Sequence, residues 1–241
     1  MNRDSNIYTF IFAAVMVVVV ALSLAVAATA LKPMQNDNVR KEKMQNILAT
    51  IGVETEREEA EGEFNKYIKE QLALTSDGTV DESIDAFAIE LHKELKKEVP
   101  EQRYPLFIAE AEGEKYYIIP LRGAGLWNAI FGYIALKDDF NTVKGVVFDH
   151  VGETPGLGAE ITQAWFQQRF TDEKVYDESG NFVGVSVVKG YSGGNNKEDN
   201  AVDAISGATI TGNGVTNMIA ERLEHYLPYI EKQKNATVAI Y

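Results

Sequence analysis

The chain opens on an uninterrupted apolar run. No residue between positions 7 and 31 carries a charge, and the apolar positions there follow neither a helical nor a two-residue period. A helix apolar on every face, rising about 1.5 Å per residue, is long enough over this run to cross a hydrocarbon core of roughly 30 Å. The run predicts a single N-terminal transmembrane helix. The small residues Ala27, Ala28 and Ala30 leave a signal peptide cleaved near Ala30 as the alternative. Beyond the run the pattern turns amphipathic. Met44, Ile47 and Leu48 form a narrow stripe, Phe64, Tyr67, Ile68 and Leu72 recur at roughly helical spacing, and Ile84, Phe87, Ala88, Leu91 and Leu95 do the same across residues 81–97. These stripes predict a helical lead-in over residues 32–99, interrupted by a turn at 75–78.

After Pro100 the pattern becomes that of strands. Residues 104–109 and 115–120 read as a hairpin about Glu112-Gly113-Glu114, with further strands at 142–149 and 182–189 and an apolar segment at 130–136. Residues 159–170 predict a helix, and a last helix is expected to begin near Asn213 or Val215 and stop at Pro228. Short strands with interspersed helices predict an α+β domain over residues 100–241, behind the anchor (1–31) and the lead-in (32–99).

Charge and composition narrow what such a domain can do. The formal net charge is -13, with no extended basic stripe, so nucleic acid is excluded as a partner. Cysteine is absent, which excludes disulfides, a cysteine nucleophile and a thiolate-ligated iron–sulfur centre in this chain. Any redox chemistry must rest on another cofactor. Arg3 and Asp4 precede the apolar run while Lys32, Arg40, Lys41 and Lys43 follow it; a literal count of flanking cations puts the large domain in the cytoplasm.

Two segments carry candidate chemistry. In Asp203-Ala204-Ile205-Ser206-Gly207-Ala208-Thr209 a turn leads toward a helix start. Hydroxyls at Thr209 and Thr211 lie where unpaired N–H groups and the helix dipole favour a phosphate. Plain capping by Thr209, Thr211 or Asn213 is the alternative. In His150-Val151-Gly152-Glu153-Thr154-Pro155-Gly156-Leu157-Gly158, Pro155-Gly156 suits the centre of a type II turn, and His150 and Glu153 could hydrogen-bond a planar heterocycle. A metal site would need more ligands, because His92 and His225 belong to other segments.

Together the segments identify a resemblance. The chain resembles the C subunits of the bacterial Na⁺-translocating NADH:quinone reductases, and is similar to the flavin-bearing G subunits of the related Rnf complexes. The family's flavinylation signature is complete in DAISGAT, and its second signature in HVGETPGLG, in the same order behind one anchor. The resemblance implies FMN held as a phosphoester on Thr209, with Asp203, Ser206, Gly207 and Ala208 presenting it. It implies a pocket shaped by His150, Glu153, Thr154, Gly156, Leu157 and Gly158, with Lys189 a further flavin contact. It also implies an electron-relay subunit of a sodium-pumping, quinone-reducing membrane complex, working with the B, D and E subunits. An exported flavin transferase would attach the cofactor, and the domain would lie on the periplasmic side of the inner membrane, opposite to the charge count. No residue of this chain is expected to catalyse NADH oxidation by itself.

Overall fold

The computed structural model describes residues 6–238; Arg3 and Asp4, which enter the charge count above, lie outside them. The chain divides into two compact units, Met1–Lys43 and Met44–Tyr241. Helix α1 (Asn6–Ala49) supplies the first unit and opens the second. Within the first unit it is long and apolar enough to cross a membrane, with Phe10, Val17, Leu22 and Val26 all exposed. Two hydroxyls of the apolar run bond back to their own helix: Ser23 and Thr29 donate to the carbonyls of Val19 and Ala25, each at 2.8 Å. In hydrocarbon this leaves neither hydroxyl without a partner.

The second unit is α+β, as the sequence predicts. Helix α2 (Ala60–Tyr67) leads into strand β1 (Ile68–Leu74), and a short helix α3 (Leu91–Glu94) precedes β2 (Tyr104–Ala111), β3 (Glu114–Ala124), β4 (Ala129–Lys137) and β5 (Val143–His150). These five strands form one antiparallel sheet in sequence order. The β2–β3 turn is Glu112-Gly113, both at positive φ (55° and 81°), the two-residue geometry that matches strand twist. After α4 (Ala164–Gln167) come two short parallel strands, β6 (Ser186–Val188) and β7 (Ala201–Asp203), then helices α5 (Thr209–Glu224) and α6 (Leu227–Val238).

Both faces of the sheet are buried, which explains why β2 and β3 read as almost continuous apolar runs. Leu106, Ile108, Tyr117, Ile119 and Leu121 point to one face and pack in the cluster that includes Val215, Met218, Ile219 and Leu223 of α5. Phe107, Ala109, Tyr116 and Ile118 point to the other and meet Met44, Ile47, Leu48 and Phe64. The stripe predicted at Met44, Ile47 and Leu48 is thus a core face. Helix α5 lies very close to β3, because a side chain at Gly214 would collide with the Ala124 carbonyl. At the far end the buried Tyr226 hydroxyl donates to the Pro105 carbonyl at 2.9 Å. Tyr226→Phe is expected to cost about 1 kcal/mol in a denaturant titration, the net worth of one buried hydrogen bond.

Several elements differ from the sequence pattern. Residues 81–97 form only a 3₁₀ turn (Ala86–Ala88) and α3, and Ile68 starts a strand rather than extending a helix. Pairing with β2 overrides the helical spacing there. Residues 159–170 are broken into α4 flanked by 3₁₀ turns, the 182–189 strand shrinks to β6, and β7 has no counterpart in the prediction. Helix α5 starts at Thr209, earlier than expected. Pro228 does not end a helix but sits in the first turn of α6, where its missing N–H costs nothing.

Candidate flavin-attachment site

Three segments converge at one end of the sheet. The β3–β4 loop is a tight turn closed by the Gly125 N–H on the Asn128 carbonyl at 2.8 Å, which lifts Leu126 and Trp127 outward. The segment after β5 makes a second turn. The Leu157 N–H donates to the Thr154 carbonyl at 3.1 Å and Gly156 takes φ 76°, the geometry expected for Pro155-Gly156. The third segment turns through Gly207 (φ 77°), closed by the Ala208 N–H on the Ile205 carbonyl at 3.1 Å, and runs into α5.

Glu153 ties the three together. Its side chain is buried, at 5 % exposure; one oxygen accepts the Trp127 N–H at 2.9 Å and the other accepts the Thr211 hydroxyl at 2.7 Å. Burial alone would raise its pKa. The N–H of Trp127 and the Thr211 hydroxyl, aided by the N–H groups of Asn128 and Leu126, outweigh burial and hold it below the ordinary carboxylate value. Gly158 is required here, since any Cβ would run into the Glu153 carboxylate and the Thr211 hydroxyl. The Trp127 indole N–H adds a bond to the Thr154 hydroxyl at 3.1 Å.

Between the segments lies a cleft of about 230 Å³, lined by Leu126, Glu153, Thr154, Leu157, Gly158 and the 207–211 helix start. Thr209 is the first residue of α5 and is exposed; no side chain caps the helix, and among the described residues the Thr209 hydroxyl has no hydrogen-bond partner. The first-turn N–H groups have no partner within a helix by construction, so the potential at the Thr209 hydroxyl is positive. Thr211, the competing hydroxyl, is buried at 1 % exposure and already committed to Glu153. Around the rim Leu126, Trp127, Leu157 and Ile210 expose 41 to 70 % of their surface, an apolar fringe beside an anion-favouring helix start. An aromatic ring system carrying a phosphate fits this pairing of surfaces.

Of the residues singled out from sequence, Glu153, Thr154, Leu157, Gly158, Gly207, Ala208 and Thr209 line the cleft. His150 stands behind it, its Nδ1 accepting the Glu153 N–H at 3.1 Å, so it braces the loop. Gly156 and Ser206 shape turns outside the lining. Asp203, at the end of β7, is held through its carbonyl by Arg169 at 2.6 Å, with its carboxylate 3.5 Å from the same guanidinium. Lys189 is exposed beyond β6 and does not line the cleft. Sequence reasoning missed Leu126, Trp127 and Ile210 as rim residues and Thr211 as the Glu153 partner. A tryptophan inside a glycine-rich loop was the available signal for the first pair.

Residues 125–224 match the family model of the FMN-binding domain. The C subunit of the Na(+)-translocating NADH-quinone reductase of Pseudomonas aeruginosa is 30% identical, with 90% of this chain and 91% of that protein aligned. The crystal structure of the corresponding C subunit from Parabacteroides distasonis superposes with a TM-score of 0.75 at 40% identity, covering 83% of this chain and 96% of that one. For NqrC of Shewanella oneidensis the TM-score is 0.71 at 27% identity, covering 82% and 98%. With an apolar N-terminal helix, an α+β domain matching the FMN-binding model and relatives aligned over almost their full length, the chain belongs to the family of C subunits of the Na⁺-translocating NADH-quinone reductases.

Proposed function

We propose that this chain is a membrane-anchored electron-relay subunit whose FMN is joined by a phosphoester to Thr209. The observation that carries the reading is the position of Thr209, an exposed and unengaged hydroxyl on the first turn of α5 at the rim of an apolar-fringed cleft. Bound FMN supplies one-electron and two-electron chemistry, which lets a relay connect centres of different kinds. The residues of the chain bind and orient. The first-turn N–H groups of α5 stabilise the phosphate charge, Leu126, Leu157 and Ile210 offer apolar surface to the ring system, and Glu153 fixes the loops on either side. Arg169 anchors the strand that carries Asp203, which keeps the DAISGAT turn in one presentation for a flavin transferase.

In the assembly the chain then stands between an iron–sulfur centre of the membrane subunits and the FMN of the B subunit, in contact with the B, D and E subunits. The anchor is residues 1–31 and the cofactor domain lies on the periplasmic side. There a covalent link keeps the cofactor from being lost by dilution. The anchor run has no charged side chain to bind an ion within the bilayer, so sodium transport belongs to other subunits.

Intact-mass measurement of the chain, co-expressed and exported with a flavin transferase, tests the assignment. The expected result is an added mass equal to FMN less one water, mapped by peptide fragmentation to Thr209. An unmodified mass with an active transferase present, or a modification mapped to Thr211, would overturn it.

A further inference from the structure

A second cleft, of about 450 Å³, opens near the other end of α5 from Thr209, walled by the segment around α3, the end of β3 and the last turn of α5. Thirteen residue-to-residue steps of helix, about 20 Å at the standard rise, take the chain from Thr209 to Arg222. The wall carries Lys96, Arg122 and Arg222 together with His92 and His225, against one carboxylate, Glu221. In a chain of formal charge -13 such a concentration of cations runs against the average.

Arg222 gives the cleft its chemistry. Its side chain is 12% exposed, and Nη2 donates to Glu221 at 3.0 Å. Its Nε and Nη1 are buried with no hydrogen-bond partner among the described residues. Glu221 is 61% exposed and adjacent in sequence, so it neutralises Arg222 only weakly. With two donors buried and unmatched and one weak carboxylate partner, the guanidinium keeps a poorly compensated positive charge beside the cleft, a cost that an anion there would lower. The surplus charge reaches its neighbours. Burial first, and then the Arg222 charge, hold the His225 pKa below the ordinary imidazole value, while Glu224 and Glu221 oppose them. Neither Lys96 nor Arg122 has an ion-pair partner among the described residues, whereas His92 faces Glu90 at 3.5 Å.

We propose that this cleft binds a phosphate-class oxyanion, held by Arg222, Arg122 and Lys96, with Glu221 giving up Nη2 on binding. Three permanent cations around one space match a polyvalent oxyanion with several acceptor edges better than a single carboxylate. The volume admits an esterified phosphate, so a soluble phosphate ester and a phospholipid headgroup share the required chemistry.

The test uses the full chain in nanodiscs of phosphatidylcholine, titrated with inorganic phosphate at fixed ionic strength and followed by calorimetry and phosphorus NMR. Saturable 1:1 binding is expected, weakened about tenfold or more by Lys96→Gln with Arg122→Gln. Neither side chain belongs to the core, so this double variant keeps the fold, whereas Arg222→Gln would alter a buried side chain. Glu221→Gln is expected to tighten binding by freeing Nη2. Discs of phosphatidylglycerol separate the sources: apparent phosphate affinity reduced there supports the proposal with a lipid headgroup as occupant, and unchanged affinity supports it with a soluble phosphate. Absence of saturable binding, equal binding by the double variant, or binding of acetate or an acidic peptide in place of phosphate would each overturn it. No residue that lines this cleft lines the one at Thr209, so failure of either reading leaves the other standing.

Discussion

Thr209→Ala, matured beside an active flavin transferase, is expected to lose all covalent flavin while keeping its fold. The loss is complete because the bond needs an oxygen at this position and alanine has none. Thr211 cannot substitute, since its hydroxyl is buried and donates to Glu153 at 2.7 Å. The fold is kept because the Thr209 side chain is exposed and caps nothing, so the substitution belongs to the surface class within about 0.5 kcal/mol of neutral. Thr209→Ser keeps a hydroxyl at the helix start and is expected to restore loading. Flavin fluorescence in a denaturing gel reads the covalent bond, and a thermal melt reads the fold. Fluorescence retained on the alanine variant would refute the attachment point.

The second large effect is expected at Glu153. Glu153→Ala leaves the part-buried Trp127 N–H and the buried Thr211 hydroxyl without their acceptor and is expected to cost about 3 kcal/mol, the range for breaking a buried charged hydrogen-bond set. Glu153→Gln should lose much less. Its carbonyl can still face Trp127 and its amide can donate to Thr211, whose hydroxyl can turn to accept. The pair also differ in pH dependence. The folded-state pKa of Glu153 lies below its ordinary value, so the folded state favours the ionised form. Its contribution is full above the ordinary carboxylate range and is lost as pH falls through the lowered folded value. Denaturant midpoints across acidic pH should therefore fall more gently for Glu153→Gln than for the unsubstituted chain. Parallel curves would show that the carboxylate charge contributes nothing.

What the sequence made legible follows from locality. The apolar run at 7–31, the β2–β3 hairpin about Glu112-Gly113 and the Pro155-Gly156 turn are each written in a few adjacent residues, and each appears in the structure. The 203–209 turn before a helix was also local, although α5 takes Thr209 itself as its first residue. What stayed hidden depends on distant partners. Residues 68–74 have helical spacing but become β1 because β2 offers a ladder. Glu153 could be noticed as a polar residue, but its bond to Thr211 joins positions 58 apart and leaves no pattern in either segment. Leu126 and Trp127 carry no pattern of their own, and only the placement of their loop beside the helix start puts Leu126 in the cleft lining and Trp127 on Glu153 and Thr154.

The wiring of the sheet has a kinetic consequence. Because each of the five strands pairs with its neighbour in sequence, and β2 to β5 are joined by short connections, that part of the sheet closes small loops and can assemble quickly. Helix α5 is different. It must travel back across the chain to settle on β3, and only its arrival brings Thr211 to Glu153. Completion of the helix start is therefore expected to be a late folding event. A modifying enzyme that needs the finished helix start would then act as a quality filter, labelling chains that have folded and passing over those that have not.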